Sequence, residues 1–286
     1  MIVPLVMVVN TVATVGIVLI TKFLYSNDVR FPTMLLFFHQ SGIAIVTFLL
    51  GACGQFETKR LPMGVNIRLA ISEVLSIVFV NLSLVHNTVG TYQMLKLLNA
   101  PAMCMAEYFM LGKARGWIEL ITLFGIVGGV SMITVTDVVI SEIGLVYGLV
   151  AVVGTTAIQV SVKKYKQEFD VTGLQFLASQ SPFTVACLFP CVFLTDNVMD
   201  AFRRRYTLPE ISMIGITCVC AFTICLSIIY LIGQTSPVTY QVLGHVKTVL
   251  IIVGGILMFH QPVSVYKAVG MVAVFGGSVV FSQIKM

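Results

Sequence analysis

Apolar runs of about 20 residues, the length that crosses roughly 30 Å of hydrocarbon as helix, recur along the whole chain with only short polar breaks between them. Ten fall near 2–24, 33–52, 65–86, 88–111, 117–136, 142–163, 171–194, 209–232, 235–259 and 262–283, leaving no length for a soluble domain. Residues of the hydrophobic class fill 58% of the 286 positions and charged ones 10%, far from the mix of a soluble domain. Strands of a membrane barrel would alternate over about 10 residues, and "VLIIVGGILMF" (249–259) does not alternate. The expectation is an all-α integral membrane protein, since a helix satisfies its backbone within one segment. The first run is too long, and lacks the basic flank, for a cleavable leader.

Loop lysines and arginines report orientation in such a chain. With a cytosolic N-terminus, that side collects Lys59, Arg60, Arg68, Lys113, Arg115, Lys163, Lys164, Lys166 and Lys285. The opposite side collects Lys22, Arg30, Arg203, Arg204, Arg205 and Lys267. The balance predicts both termini cytosolic, with the Arg203–Arg205 cluster standing against it. The net charge of +5 is therefore read as topology and not as nucleic-acid binding.

The chain also repeats itself. "TYQMLK" (91–96) and "TYQVLGHVK" (239–247) start 148 positions apart, and the same offset pairs Leu95 with Leu243, Met110 with Met258 and Gly128-Gly129 with Gly276-Gly277. Two five-helix halves, 1–140 and 141–286, explain it. Because five is odd, the second half enters the membrane inverted, an arrangement that places substrate near the bilayer midplane between the halves. The predicted architecture is ten transmembrane helices as two inverted five-helix repeats around a central cavity.

Lys96 falls about 12 Å into the fourth run and Lys247 about 18 Å into the ninth at 1.5 Å per residue, too deep for either ammonium to snorkel out. Tyr92 and Lys96 are spaced i, i+4; Tyr240, Gly244 and Lys247 are spaced i, i+4, i+7, so each lysine shares a helix face with a tyrosine. Gln93 and Gln241 flank them, and Gly244 allows close approach of a ligand or helix. A permanent ion pair is one account, with Glu73 the acid best placed for Lys96. The other is a site for a cargo of about two negative charges, such as a diphosphate, which two lysines meet as point charges.

Those stretches resemble a known family. "NLSLVHNTVGTYQMLK" (81–96), "TSPVTYQVLGHVKTV" (235–249), "TVATVGIVLITKFLYSN" (11–27), "GLVYGLVAVVGTTAIQV" (144–160) and "LQFLASQSPF" (174–183) look like the nucleotide-sugar and triose-phosphate translocators of the drug/metabolite transporter superfamily. The resemblance implies ten helices, cytosolic termini and a Golgi membrane. Sugar-phosphate carriers of that family have arginine after the last lysine; here it is Thr248, similar to the nucleotide-sugar branch and in particular to UDP-rhamnose/UDP-galactose transporters. It thus implies antiport of a UDP-sugar against UMP, the cargo pair being a nucleotide sugar and a nucleoside monophosphate. Thr21 and Asn99 depart from the family's residues.

Asn10, Asn81 and Gln180 sit inside runs, where amides join helices or reach a ligand. Gln180 is the best ligand candidate of the three because Pro182 is expected to break its helix and free backbone groups. Lys22 either snorkels or lines the cavity mouth. His245 is offset from the lysine face. The seven cysteines and scattered histidines lack metal spacing, and no P-loop, GxSxG or HExxH motif occurs, so neither an enzyme nor a cofactor or metal is expected. A homodimer in the bilayer is compatible with this reading. Three other functions compete: a sugar-phosphate/phosphate exchanger on the same fold, a proton-coupled exporter using Glu73 or Glu107, and a scaffold without transport.

Overall fold

The computed structural model describes residues 2–26, 29, 31–86, 95–96, 98–112, 114, 116–134, 141–259 and 265–284. Their regular secondary structure is α-helical, joined by short turns and coil. The helices are α1 (Ile2–Ser26), α2 (Pro32–Ala52), α3 (Met63–His86), α4 (Asn99–Leu111), α5 (Trp117–Thr134), α6 (Glu142–Glu168), α7 (Gly173–Thr195), α8 (Val198–Arg203), α9 (Leu208–Gln234), α10 (Pro237–Phe259) and α11 (Val265–Ile284). Six stretches among the described residues are long and apolar enough to cross a membrane: Ile2–Thr21, Pro32–Ala52, Met63–Ser83, Glu142–Glu168, Gly173–Thr195 and Leu208–Gln234. Shorter apolar stretches run over Trp117–Gly129 and Ala268–Phe281.

The chain divides into two compact units, Met1–Val74 with Tyr165–Gln234 and Leu75–Lys164 with Thr235–Met286. In the first unit α1 packs on α9, α2 on α7, and α9 also on α2 and α7. Asn10 joins α1 to α9 by donating to Ser227 Oγ at 2.5 Å and Ile224 O at 3.4 Å, which is the helix-joining use of an intramembrane amide. The start of α2 is held by Asp196, whose Oδ2 accepts from the Met34 amide at 2.8 Å; a carboxylate at a helix N-terminus answers unpaired N–H groups and the dipole together. Burial raises the Asp196 carboxyl above its ordinary pKa, and the Met34 and Thr33 bonds oppose that rise.

In the second unit α5 packs on α11, and α10 packs on α4, α5 and α11. A Cβ at Gly129 would come within 2.9 Å of Ala273 Cβ, and one at Gly277 within 2.6 Å of Ile126 Cγ1. One glycine of each repeated pair thus lets the helices touch; Gly128 and Gly276 meet nothing within 4 Å among the described residues. Ser76 and Thr155 share a 2.7 Å hydroxyl bond between α3 and α6, beside Gly154, where a Cβ would lie 2.6 Å from the Ser76 amide nitrogen. Glu107, fully buried on α4, accepts from the Val238 amide at the start of α10 at 3.4 Å.

Three expectations are corrected. Lys163, Lys164 and Lys166 do not sit in a polar break, because α6 continues to Glu168. Lys163 is 4% exposed and donates to Thr235 O at 2.9 Å; Lys166 donates to Ile229 O at 3.4 Å and lies 5.8 Å from the Tyr230 ring centroid. Long lysine stems let an apolar helix run on while their ammonium groups satisfy main-chain carbonyls. Secondly, α7 is unbroken: Pro182 and Pro190 both lie inside it. Thirdly, the fourth run is not one continuous helix up to 111, its residues 88–94 lying outside the described residues. Leu95 and Lys96 are helical, Leu98 is a turn whose amide donates to Leu95 O at 3.1 Å, and α4 proper begins at Asn99.

Candidate functional site

The second unit gathers both lysines singled out by the sequence. Lys247 sits on α10, 4% exposed, and donates to Tyr240 Oη at 3.3 Å while its Nζ lies 4.6 Å from the centroid of the same ring. The i, i+7 spacing places the two one above the other, as expected. A phenol offers the ammonium both an acceptor oxygen and the negative face of its ring. Lys96, exposed just before the turn at Leu98, acts electrostatically on Lys247 and on His245. Two like charges are therefore collected in one unit, where low dielectric makes each felt more strongly than in water.

The other candidate residues divide between the units. Gln241, half-buried, donates to Gln159 Oε1 on α6 at 3.0 Å. Among the described residues, a Cβ at Gly244 would meet Gln241 Oε1 at an ordinary 3.9 Å. Asn81 is half-buried on α3. Thr248 belongs to α10 and Lys22 to α1, and their side chains lie outside the described residues, as do Tyr92 and Gln93. Gln180 belongs to the first unit. There it donates to Glu73 Oε2 at 2.6 Å, joined by Thr184 at 2.8 Å and by Gln40, which donates to Oε1 at 3.0 Å. The carboxyl taken as the partner for Lys96 thus accepts from three neutral donors.

Two residues near Lys96 stand out that spacing alone did not assign. Asn99 and His245 are 6% and 5% exposed, and Asn99 Oδ1 and His245 Nε2 have no hydrogen-bond partner among the described residues. Asn99 shares a small cavity of about 10 Å³ with Lys96, Ser83, Gly148 and Thr155. Buried polar atoms normally find partners, so their placement beside a lysine marks the neighbourhood as polar in an apolar protein. The amide in "LLNAP" was visible as unusual; its burial was not.

The triose-phosphate transporter family model matches residues 4–282. The chain belongs to the triose-phosphate transporter family. This membership makes it a multi-pass membrane transporter and not an enzyme. Among its relatives in Arabidopsis thaliana, UDP-xylose transporter 1 is 30% identical over 96% of this chain and 81% of its own length. UDP-xylose transporter 3 is 31% identical over 96% and 78%, and UDP-rhamnose/UDP-galactose transporter 1 is 29% identical over 96% and 80%. A crystal structure with 13% identical residues superposes with a TM-score of 0.79 over 99% of this chain and 96% of its own, a likeness of fold alone.

Proposed function

We propose that this family member exchanges a UDP-sugar for UMP by alternating access in the Golgi membrane. The carrying observation is that Lys96 and Lys247 belong to the same compact unit, with Lys247 buried against Tyr240. Like charges gathered inside a membrane protein are costly, and a phosphorylated cargo repays that cost by neutralising both. Tyr240 would steady Lys247 between turnovers and release it to a phosphate oxygen. Tyr92, Gln93, Gln241, Gly244, Asn81 and Thr248 complete the proposed contact set. Relatives whose names carry UDP-xylose, UDP-rhamnose and UDP-galactose support the uridine nucleotide, and their near-equal identities leave the sugar open among these.

The two-half reading, 1–140 and 141–286, with ten spans around a central cavity, has support in the pattern of helix pairs. Exchanging the halves turns the α1–α9 pair into the α3–α6 pair and maps α2–α7, α4–α10 and α5–α11 onto themselves. Both termini on the cytosolic face and a homodimer in the bilayer belong to the same proposal.

The test is exchange in liposomes preloaded with UMP and offered a panel of nucleotide sugars. Uptake of at least one UDP-sugar that requires internal UMP is expected. No UMP-dependent uptake of any uridine compound would refute the reading. The family's description in terms of triose phosphate favours a second reading, a sugar-phosphate/phosphate exchanger; inhibition of uptake by inorganic phosphate but not by UMP establishes that instead.

A further inference from the structure

The connection between α7 and α9 carries features that transport does not use. It holds the short helix α8, followed by three consecutive arginines, Arg203–Arg205. Phe202 and Met199 are exposed on α8, at 75% and 59%, and Arg203 and Arg205 are exposed beside them. A short element with outward apolar side chains and flanking arginines, lying just beyond the end of a membrane-spanning helix, has the composition of one that rests in the headgroup layer.

Behind it lies a groove of about 370 Å³. Its walls are Met34, Leu35 and Phe38 of α2, Phe202 of α8, and Ile211 and Ile214 of α9. Both α2 and α9 start at this end, and Phe38 and Ile214 are each six residues in, so the groove descends about 9 Å at 1.5 Å per residue. Arg204 and Tyr206 line the same groove. Arg204 bonds Glu210 at 2.7 Å, and its guanidinium carbon lies 5.5 Å from the Tyr206 ring centroid. The acids nearby are already engaged: Asp196 by the Met34 amide, Asp200 by Asn197 Nδ2 at 2.5 Å, and Glu210 by Arg204 and by the Thr207 amide at 2.8 Å. The amides leave Asp196 and Asp200 charged, so the exposed charges of this segment are those of Asp200, Arg203 and Arg205, a net excess of one positive charge.

We propose that this groove holds an acyl chain of an anionic phospholipid whose phosphate is met by the Arg203–Arg205 cluster. The inference is independent of the cargo. An arginine beside a leaflet that contains anionic lipid attracts its headgroup with an energy equivalent to about fivefold in affinity, and the apolar walls select a lipid over a soluble phosphate.

The test uses the full chain, purified in detergent, with its melting temperature followed as phosphatidylserine, phosphatidylcholine of the same chains, or glycerol phosphate is added. Two variants accompany it: the exposed pair Arg203→Gln/Arg205→Gln, and Ile211→Trp, which fills the groove mouth from a residue 54% exposed. Phosphatidylserine is expected to raise the wild-type melting temperature by a few degrees more than phosphatidylcholine. The arginine pair should reduce that excess to the phosphatidylcholine level, and Ile211→Trp should weaken both lipids. Equal response to both lipids in the wild type overturns the proposal. So does a phosphatidylserine shift unchanged in both variants, or a glycerol phosphate shift as large as that of the lipid.

Discussion

In the first unit the carboxyl of Glu73 accepts from Gln40, Gln180 and Thr184, whereas in the second the ammonium of Lys247 meets a phenol and the field of a second lysine. The acid is enclosed by neutral amide and hydroxyl donors, a network in which every removed partner leaves a buried group short. The lysine is buried against a phenol of its own helix, in the same unit as a second lysine. Burial in a membrane is thus answered in one unit by local satisfaction and in the other by an arrangement that an incoming anion improves. The contrast sets the polar cluster at Glu73 apart from the lysines proposed to meet the cargo.

The largest effect expected from that contrast is at Lys247. Lys247→Ala removes a desolvated contact to phosphate, worth about 3 kcal/mol, and should lower exchange in UMP-loaded liposomes at least a hundredfold while the protein stays folded. Wild-type rates in that variant would make the lysine structural. Next comes Glu73→Gln, which trades an acceptor oxygen for an amide group facing its donors and should cost about 2 kcal/mol of stability, lowering the melting temperature by several degrees. Exchange per folded molecule should stay within about threefold of wild type, since the loss lies in packing and not in charge neutralisation. A folded variant that has lost exchange would erase the distinction between the units and favour the proton-coupled alternative.

Tyr240→Phe keeps the ring against Lys247 and removes the 3.3 Å bond. It is expected to change the UMP half-saturation concentration by about tenfold, the low end for one hydrogen bond to a charged group. No change would leave Tyr240 a filler. The smallest effect expected is at Asn99, whose buried Oδ1 has no hydrogen-bond partner among the described residues. Asn99→Leu should leave the melting temperature unchanged or slightly higher, because an unsatisfied buried group is being removed, while the ranking of UDP-sugars in a competition assay shifts. An unchanged ranking would remove Asn99 from the cargo's surroundings.

Much of this was legible in the residues. Run length and hydropathy located the helices, since a span needs about 20 apolar residues whatever its neighbours. The repeated Thr-Tyr-Gln phrase identified the two lysines, and the helical period paired Tyr240 with Lys247. Other features depended on reach and on tertiary partners. Lys163 and Lys166 look like loop charges in a hydropathy count, but their stems carry the ammonium groups to the carbonyls of Thr235 and Ile229. Pro182 looked like a break at Gln180, yet α7 absorbs it, and Gln180 spends its amide on Glu73. His245 was set aside for its angle on the helix; its burial and the field of Lys96 on it come from segments distant in sequence.

The central claim is that Lys96 and Lys247 together recognise phosphate charge. It is tested most directly by comparing UMP with uridine as competitors of labelled UDP-sugar uptake, in the wild type and in Lys96→Gln/Lys247→Gln. UMP should compete in the wild type and uridine should not, and the double variant should show no competition by UMP. Uridine competing as well as UMP in the wild type, or UMP retaining its effect in the double variant, would contradict the claim.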